Sequence, residues 1–89
     1  MKKIYYTVDK ELQDIDGIEE STGHKTVNVY DVVDGEVIPL FEVQLFNEDN
    51  SENAIFQHLD ARMNDEDIES EDKIDFGNID VKDITFVNL

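Results

Sequence analysis

Two β-rich runs, KTVNVYDVV and EVIPLFEVQLF, flank the dipeptide Asp34-Gly35, and no other stretch of the chain limits the fold as much. Val, Ile, Tyr and Phe suit the pleated, half-buried surface of a strand. Asp-Gly supplies the left-handed backbone that a tight hairpin turn needs. Segment Lys25–Phe46 is therefore read as a β-hairpin. A two-residue loop sets Val29 opposite Leu40 and Val27 opposite Glu42. A three-residue loop, Val33-Asp34-Gly35, pairs Val29 with Pro39 and Val27 with Phe41 instead. It gathers Val27, Val29, Val37, Pro39, Phe41 and Val43 on one face and puts Gly35 at a left-handed bulge position. The three-residue loop is the expected one. Pro39 has no amide hydrogen to give a ladder, so Val37–Phe46 is expected to be an edge strand.

The rest of the chain is arranged around this hairpin. In Lys2–Val8, Ile4, Tyr6 and Val8 alternate with Lys3, Tyr5 and Thr7, the period of a strand. Asp9–Ile18 loses the alternation and is read as a loop with one local helical turn before Gly17. Asn47–Ser51 is a polar break rich in helix-capping residues: Asp49 and Glu52 have capping-box spacing, with Asn50 and Ser51 as competing caps. From Glu52 to about Met63, Ile55, Phe56, Leu59 and Met63 share one face of an amphipathic helix. The run NDEDIESEDKID, Asn64 to Asp75, follows with only Ile68 and Ile74 as apolar residues. Asp75–Lys82 alternates weakly, and Ile84–Leu89 reads as a last strand. The order β, β-hairpin, α, β implies a small α+β domain, residues 1–89, with a mainly antiparallel sheet and the helix on one of its faces.

Charge limits the partners. The 89 residues hold 23 acidic against 7 basic side chains, a net charge of −16. Nucleic acid or an anionic membrane bound directly would bring like charges together, so neither is an expected partner. A folded chain of 10.3 kDa exposes about 5,400 Å². That is roughly 340 Å² per net charge, against roughly 110 Å² per phosphate on a duplex. Only clustering would make such a surface resemble nucleic acid. The absence of cysteine excludes a disulfide framework and a thiol nucleophile, and fits a reducing cytoplasm. The start, MKKIYYTVDKEL, lacks the long apolar region of a secretory signal, and no segment has the roughly 18 apolar residues of a membrane span.

No catalytic, cofactor or metal pattern emerges. His24 and His58 are read as surface residues, and neither stands in zinc-ligand spacing. An EF-hand loop requires oxygen ligands at positions 1, 3, 5 and 12 and glycine at 6. A loop from Leu12 ends on Gly23, one from Asp65 has Ser70 at the glycine place, and one from Asn47 has Glu52 there. All three fail, which leaves weak divalent binding by Asp65–Asp72 as the metal reading. The four glycines stand singly, so no loop cradles phosphate.

The chain is accordingly expected to be a non-enzymatic protein–protein interaction module without a cofactor, a monomer or a weak homodimer joined through an edge strand. Its second hairpin face, Tyr30, Val32, Ile38 and Leu40, is one candidate contact. The alternative is an acidic mimic of nucleic acid that occludes a basic protein surface. In size, acidity and lack of cysteine the chain resembles the inhibitors that phages and mobile elements use against host nucleases and restriction systems, a resemblance of composition. The candidate surface for this acidic reading is Asp65, Glu66, Asp67, Glu69, Glu71 and Asp72, with Glu48, Asp49 and Glu52. Self-repulsion among so many carboxylates predicts that moderate salt raises the melting temperature by screening. Calorimetric melting at low and at physiological salt checks this, and an unchanged midpoint contradicts it.

Overall fold

The computed structural model describes residues 2–89. Strands β1 (Lys3–Ile15), β2 (Ile18–Val33) and β3 (Glu36–Phe46) precede helix α1 (Ser51–Asn64), a short 3-10 turn (Val81–Asp83) and strand β4 (Thr85–Asn88). The four strands form one sheet in the order β3-β2-β1-β4. The β1–β2 and β2–β3 pairs are antiparallel, but β4 runs parallel to β1, pairing Lys3 with Thr85 and Tyr6 with Asn88. The sheet is therefore mixed, because α1 and the long return through residues 65–84 bring the chain back in the direction of β1. The class is α+β. Among the described residues, no helix is long and apolar enough to cross a membrane.

Two expectations about strands are corrected. Asp9–Ile18 is not a loop with a helical turn: β1 continues to Ile15, and Ile15 pairs with Ile18 around Asp16-Gly17. Asp16 (φ 54°) and Gly17 (φ 81°) both take the left-handed conformation of a two-residue hairpin turn. The β2–β3 loop is likewise two residues long, with Val33 paired to Glu36 and Asp34 at φ 52°. The expected Val29–Pro39 and Val27–Phe41 pairs do not form. A bulge between Val29 and Tyr30 resets the register, giving Tyr30 opposite Pro39 but Val29 opposite Phe41 and Val27 opposite Val43. Val37 and Pro39 consequently fall on the sheet face opposite to Val27 and Val29. The bulge reconciles a turn that needs one register with a core that needs the other. β3 is an edge strand, and Pro39 sits beside the bulge where no ladder donor is required.

The core is small. Ile4 and Tyr6 of β1 and Val27 and Val29 of β2 cluster with Ile55 and Leu59 of α1 and with Val81 and Ile84. Asn50 caps the helix, its side chain accepting from the Asn53 amide at 2.9 Å, while Asp49 instead accepts from the Phe46 amide at 3.0 Å. Two buried charges bracket the apolar row of β2. Asp31 receives Lys2 Nζ at 2.7 Å and the Val32 amide at 2.8 Å. Lys25 Nζ donates to the carbonyls of Asn47 (3.1 Å) and Asp49 (2.6 Å). Each buried charge thus keeps partners in place of water.

Past Lys10 and Lys25 the β1–β2 ribbon leaves the core, and every residue from Asp9 to Ser21 is exposed. The molecule measures 52 × 31 × 22 Å with a radius of gyration of 15.0 Å, against about 12 Å for a compact chain of this length. The excess is the arm. Core and arm should therefore respond differently to mutation. Leu59→Ala is expected to cost about 2–5 kcal/mol through the cavity it leaves. Changing Ile15 and Ile18 together to Ser should move stability by no more than about 0.5 kcal/mol. Urea unfolding midpoints of the two variants check this.

Candidate functional site

The nine expected carboxylates do not form one surface. All are exposed, but Glu48, Asp49 and Glu52 flank the start of α1, whereas Asp65, Glu66, Asp67, Glu69, Glu71 and Asp72 follow its end. A helix of 14 residues separates the two groups by about 21 Å along its axis. This is a correction to the single patch proposed from the sequence, and its cause is the length of α1.

The run after α1 is held to the body at its far end. The Ile74 amide donates to the Arg62 carbonyl at 3.0 Å, and the Ile74 side chain packs against the core cluster. Ile68 is half-buried but lies outside that cluster. Between them the Asp72 amide donates to the Glu69 carbonyl at 2.9 Å, and ahead of Ile68 the Asp67 amide donates to Asp65 Oδ1 at 2.9 Å. Local turns thus shape the run while Ile74 anchors it. Glu69, Glu71 and Asp72 bring one carboxylate oxygen each within 4.8 Å of one another. One oxygen from each would give three of the six to eight that calcium takes.

The arm is the acidic element that the sequence reading missed. Between Glu11 and Glu20 it carries Glu11, Asp14, Asp16, Glu19 and Glu20, with no Lys or Arg. Interleaved are Leu12 and Ile18, 55% and 62% exposed, and Ile15. A readable signal existed. Asp16-Gly17 between Ile15 and Ile18 repeats the dipeptide rule that located the β2–β3 turn.

The root of the arm is braced. Three residues of β2, Thr22–His24, stand against Glu11 alone, with Gly23 at φ 86°. The Asn47 amide donates to the Gly23 carbonyl at 2.8 Å, and Asn47 Nδ2 donates to Ser21 Oγ at 2.9 Å. The His24 ring lies 4.9 Å from Phe46. Through Asn47 and Lys25, the segment bearing Glu48 and Asp49 is tied to this root. Glu48, Asp49 and Glu52 therefore extend the arm's acidity onto the shoulder of the body, and the loop acids do not.

Other polar side chains make local contacts. His58 stacks on Phe41 at 6.3 Å, and the Arg62 guanidinium covers the same ring at 4.7 Å. Ser21 Oγ already accepts from Asn47 and from the Gly23 amide at 3.2 Å. Burial pushes the Tyr6 phenol above its ordinary 10, and the Glu52 carboxylate adds to the shift. Ile38 pairs with Asp31 on the core side of the sheet, so it does not share the expected second face with Tyr30 and Val32.

No protein-family model, curated protein or solved structure matches this chain.

Proposed function

We propose that the protein is a non-catalytic interaction module whose acidic arm docks into a basic surface of another protein. The observation that supports this reading is the arm itself. A two-stranded ribbon outside a core is marginal in water, yet here it carries five carboxylates and no cation from Glu11 to Glu20. With a rise of about 3.4 Å per residue, Glu11 to Asp16 spans about 17 Å, so the arm presents roughly one carboxylate per 3.4 Å. That equals the axial charge density of one strand of a duplex, one charge per about 3.4 Å, and is half the density of the whole duplex.

Averaged over its 6256 Å² surface, the chain has only about one net charge per 390 Å². The mean surface is too dilute to resemble a polyanion, and the arm is not. The mechanism is steering by the arm and shoulder acids, then occlusion of Lys and Arg groups, with Leu12, Ile15 and Ile18 giving the contact its short-range part. A surface that binds nucleic acid is the partner class that this charge density fits.

The test is capture from a cell extract at low and high salt, using the native chain and a variant with the five arm carboxylates changed to amides. Amide replacement is expected to abolish capture of nucleic-acid-binding proteins, and high salt to release them from the native chain. Capture that survives both changes contradicts the proposal.

A further inference from the structure

The chain uses the same dipeptide twice in the same kind of turn, and the two turns differ in what holds them shut. Asp16-Gly17 and Asp34-Gly35 each close a two-residue hairpin, with φ of 54° and 81° at the first and 52° and 81° at the second. All four residues are exposed. Nothing lies within 4 Å of where a Cβ would stand on either glycine. In an Asp-Gly pair the glycine nitrogen can attack the aspartate side chain, since no Cβ crowds it. A closed turn prevents the attack. A left-handed residue has ψ near about +47°, which sets the glycine nitrogen and the aspartate Cβ on opposite sides of the Cα–C bond. Ring closure needs them on the same side. Opening of the turn therefore gates the reaction.

The turn at Asp34 is anchored close behind its tip. The ladder Asp31–Ile38, Val32–Val37, Val33–Glu36 is unbroken, and its first residue, Asp31, is buried and held by Lys2 Nζ and the Val32 amide. The turn at Asp16 has no such anchor. The buried residues nearest to it along the strands are Tyr6 of β1 and Lys25 of β2. Pairing is interrupted between Lys10 and Leu12, which leaves Leu12–Ser21, Gln13–Glu20, Asp14–Glu19 and Ile15–Ile18 to close the arm. Asp14 and Glu19 stand directly opposite each other, and like charges so placed destabilise a ladder. A two-stranded ribbon without a core is marginal in any case.

We propose that Asp16 is a site of spontaneous isoaspartate formation, selected over Asp34 by the loose closure of the arm. In the open turn the Gly17 nitrogen attacks Cγ of the protonated Asp16 carboxyl group. The N–Cγ bond forms, the amide hydrogen and the carboxyl hydroxyl leave together as water, and a succinimide ring results. Water then adds to the main-chain carbonyl carbon of Asp16 and breaks its bond to the Gly17 nitrogen. The chain now runs through Cβ and Cγ, and the freed carbonyl becomes a carboxylate. Nothing is oxidised or reduced, and the net charge returns to its starting value. The additional main-chain carbon lengthens a turn whose two residues set Ile15 opposite Ile18. The modified arm loses its ribbon geometry while keeping its five carboxylates. None of this depends on the function proposed for the arm.

Prolonged warming of the native chain at neutral pH, with tryptic mapping over time, tests the site. Trypsin cuts after Lys10, Lys25 and Arg62, so the two dipeptides fall on separate peptides, residues 11–25 and 26–62. Electron-transfer fragmentation then distinguishes isoaspartate from aspartate. Isoaspartate is expected to accumulate at Asp16 at least about tenfold faster than at Asp34, and the two rates to converge in urea, where both turns are open. Glu19→Lys, which gives Asp14 an opposite charge across the ladder, should slow the reaction at Asp16 by about twofold or more and leave Asp34 unchanged. Equal rates in the native chain, a faster reaction at Asp34, or no isoaspartate at Asp16 overturns the proposal. So do rates that stay apart in urea, which assign the difference to the neighbouring residues, or an Asp16 rate indifferent to Glu19→Lys.

Discussion

One row of side chains on β2, Lys25, Val27, Val29 and Asp31, sets the limits of everything else in this molecule. All four are buried, and alternation puts them on the same side of the sheet. The two valines meet Ile4, Tyr6, Ile55 and Leu59. The flanking lysine and aspartate are each compensated by fixed partners, the Asn47 and Asp49 carbonyls at one end and Lys2 at the other. Beyond Lys25 the ribbon has no core to pack on and becomes the arm. Beyond Asp31 the hairpin tip is exposed at Val32, Val33, Val37 and Ile38.

This limit also explains where the acid sits. A short chain buries a modest fraction of its surface, and carboxylates are costly to bury unpaired. Most of the 23 acidic residues therefore fall in segments that lie outside the core: the arm, the shoulder before α1 and the turns after it. The buried acid among the described residues, Asp31, is paired with Lys2. The same sorting leaves the uncovered sheet face almost free of charge. Arm and face thus follow from one physical rule.

Sequence reading succeeded where local chemistry and tertiary demand agree. Asp34-Gly35 located the second hairpin, Ile55 and Leu59 located the buried side of α1, and Asn50 was among the residues expected to cap it. It failed where a distant constraint decides. KELQDID has no strand periodicity because neither of its faces is buried, so pairing and the Asp16-Gly17 turn alone make it a strand. The bulge at Tyr30 was invisible because the turn and the core each specify a different register. Nothing in ITFVNL encodes that its neighbour is β1 in parallel orientation. The acidic patch was divided by the length of α1, a length that the sequence did indicate. The arm's role as the main acidic projection was hidden by reading Asp9–Ile18 as a loop.

The central claim is that the arm, and not the acidic run after α1, makes the contact with a basic partner. Hydrogen–deuterium exchange of the chain, free and bound to a protein it captures, tests this most directly, because exposed ribbon amides exchange quickly unless covered. The account predicts new protection across residues 10–21 and at the shoulder residues 47–49, with residues 65–75 unchanged. Protection confined to residues 65–75, with the arm exchanging as in the free chain, would contradict it.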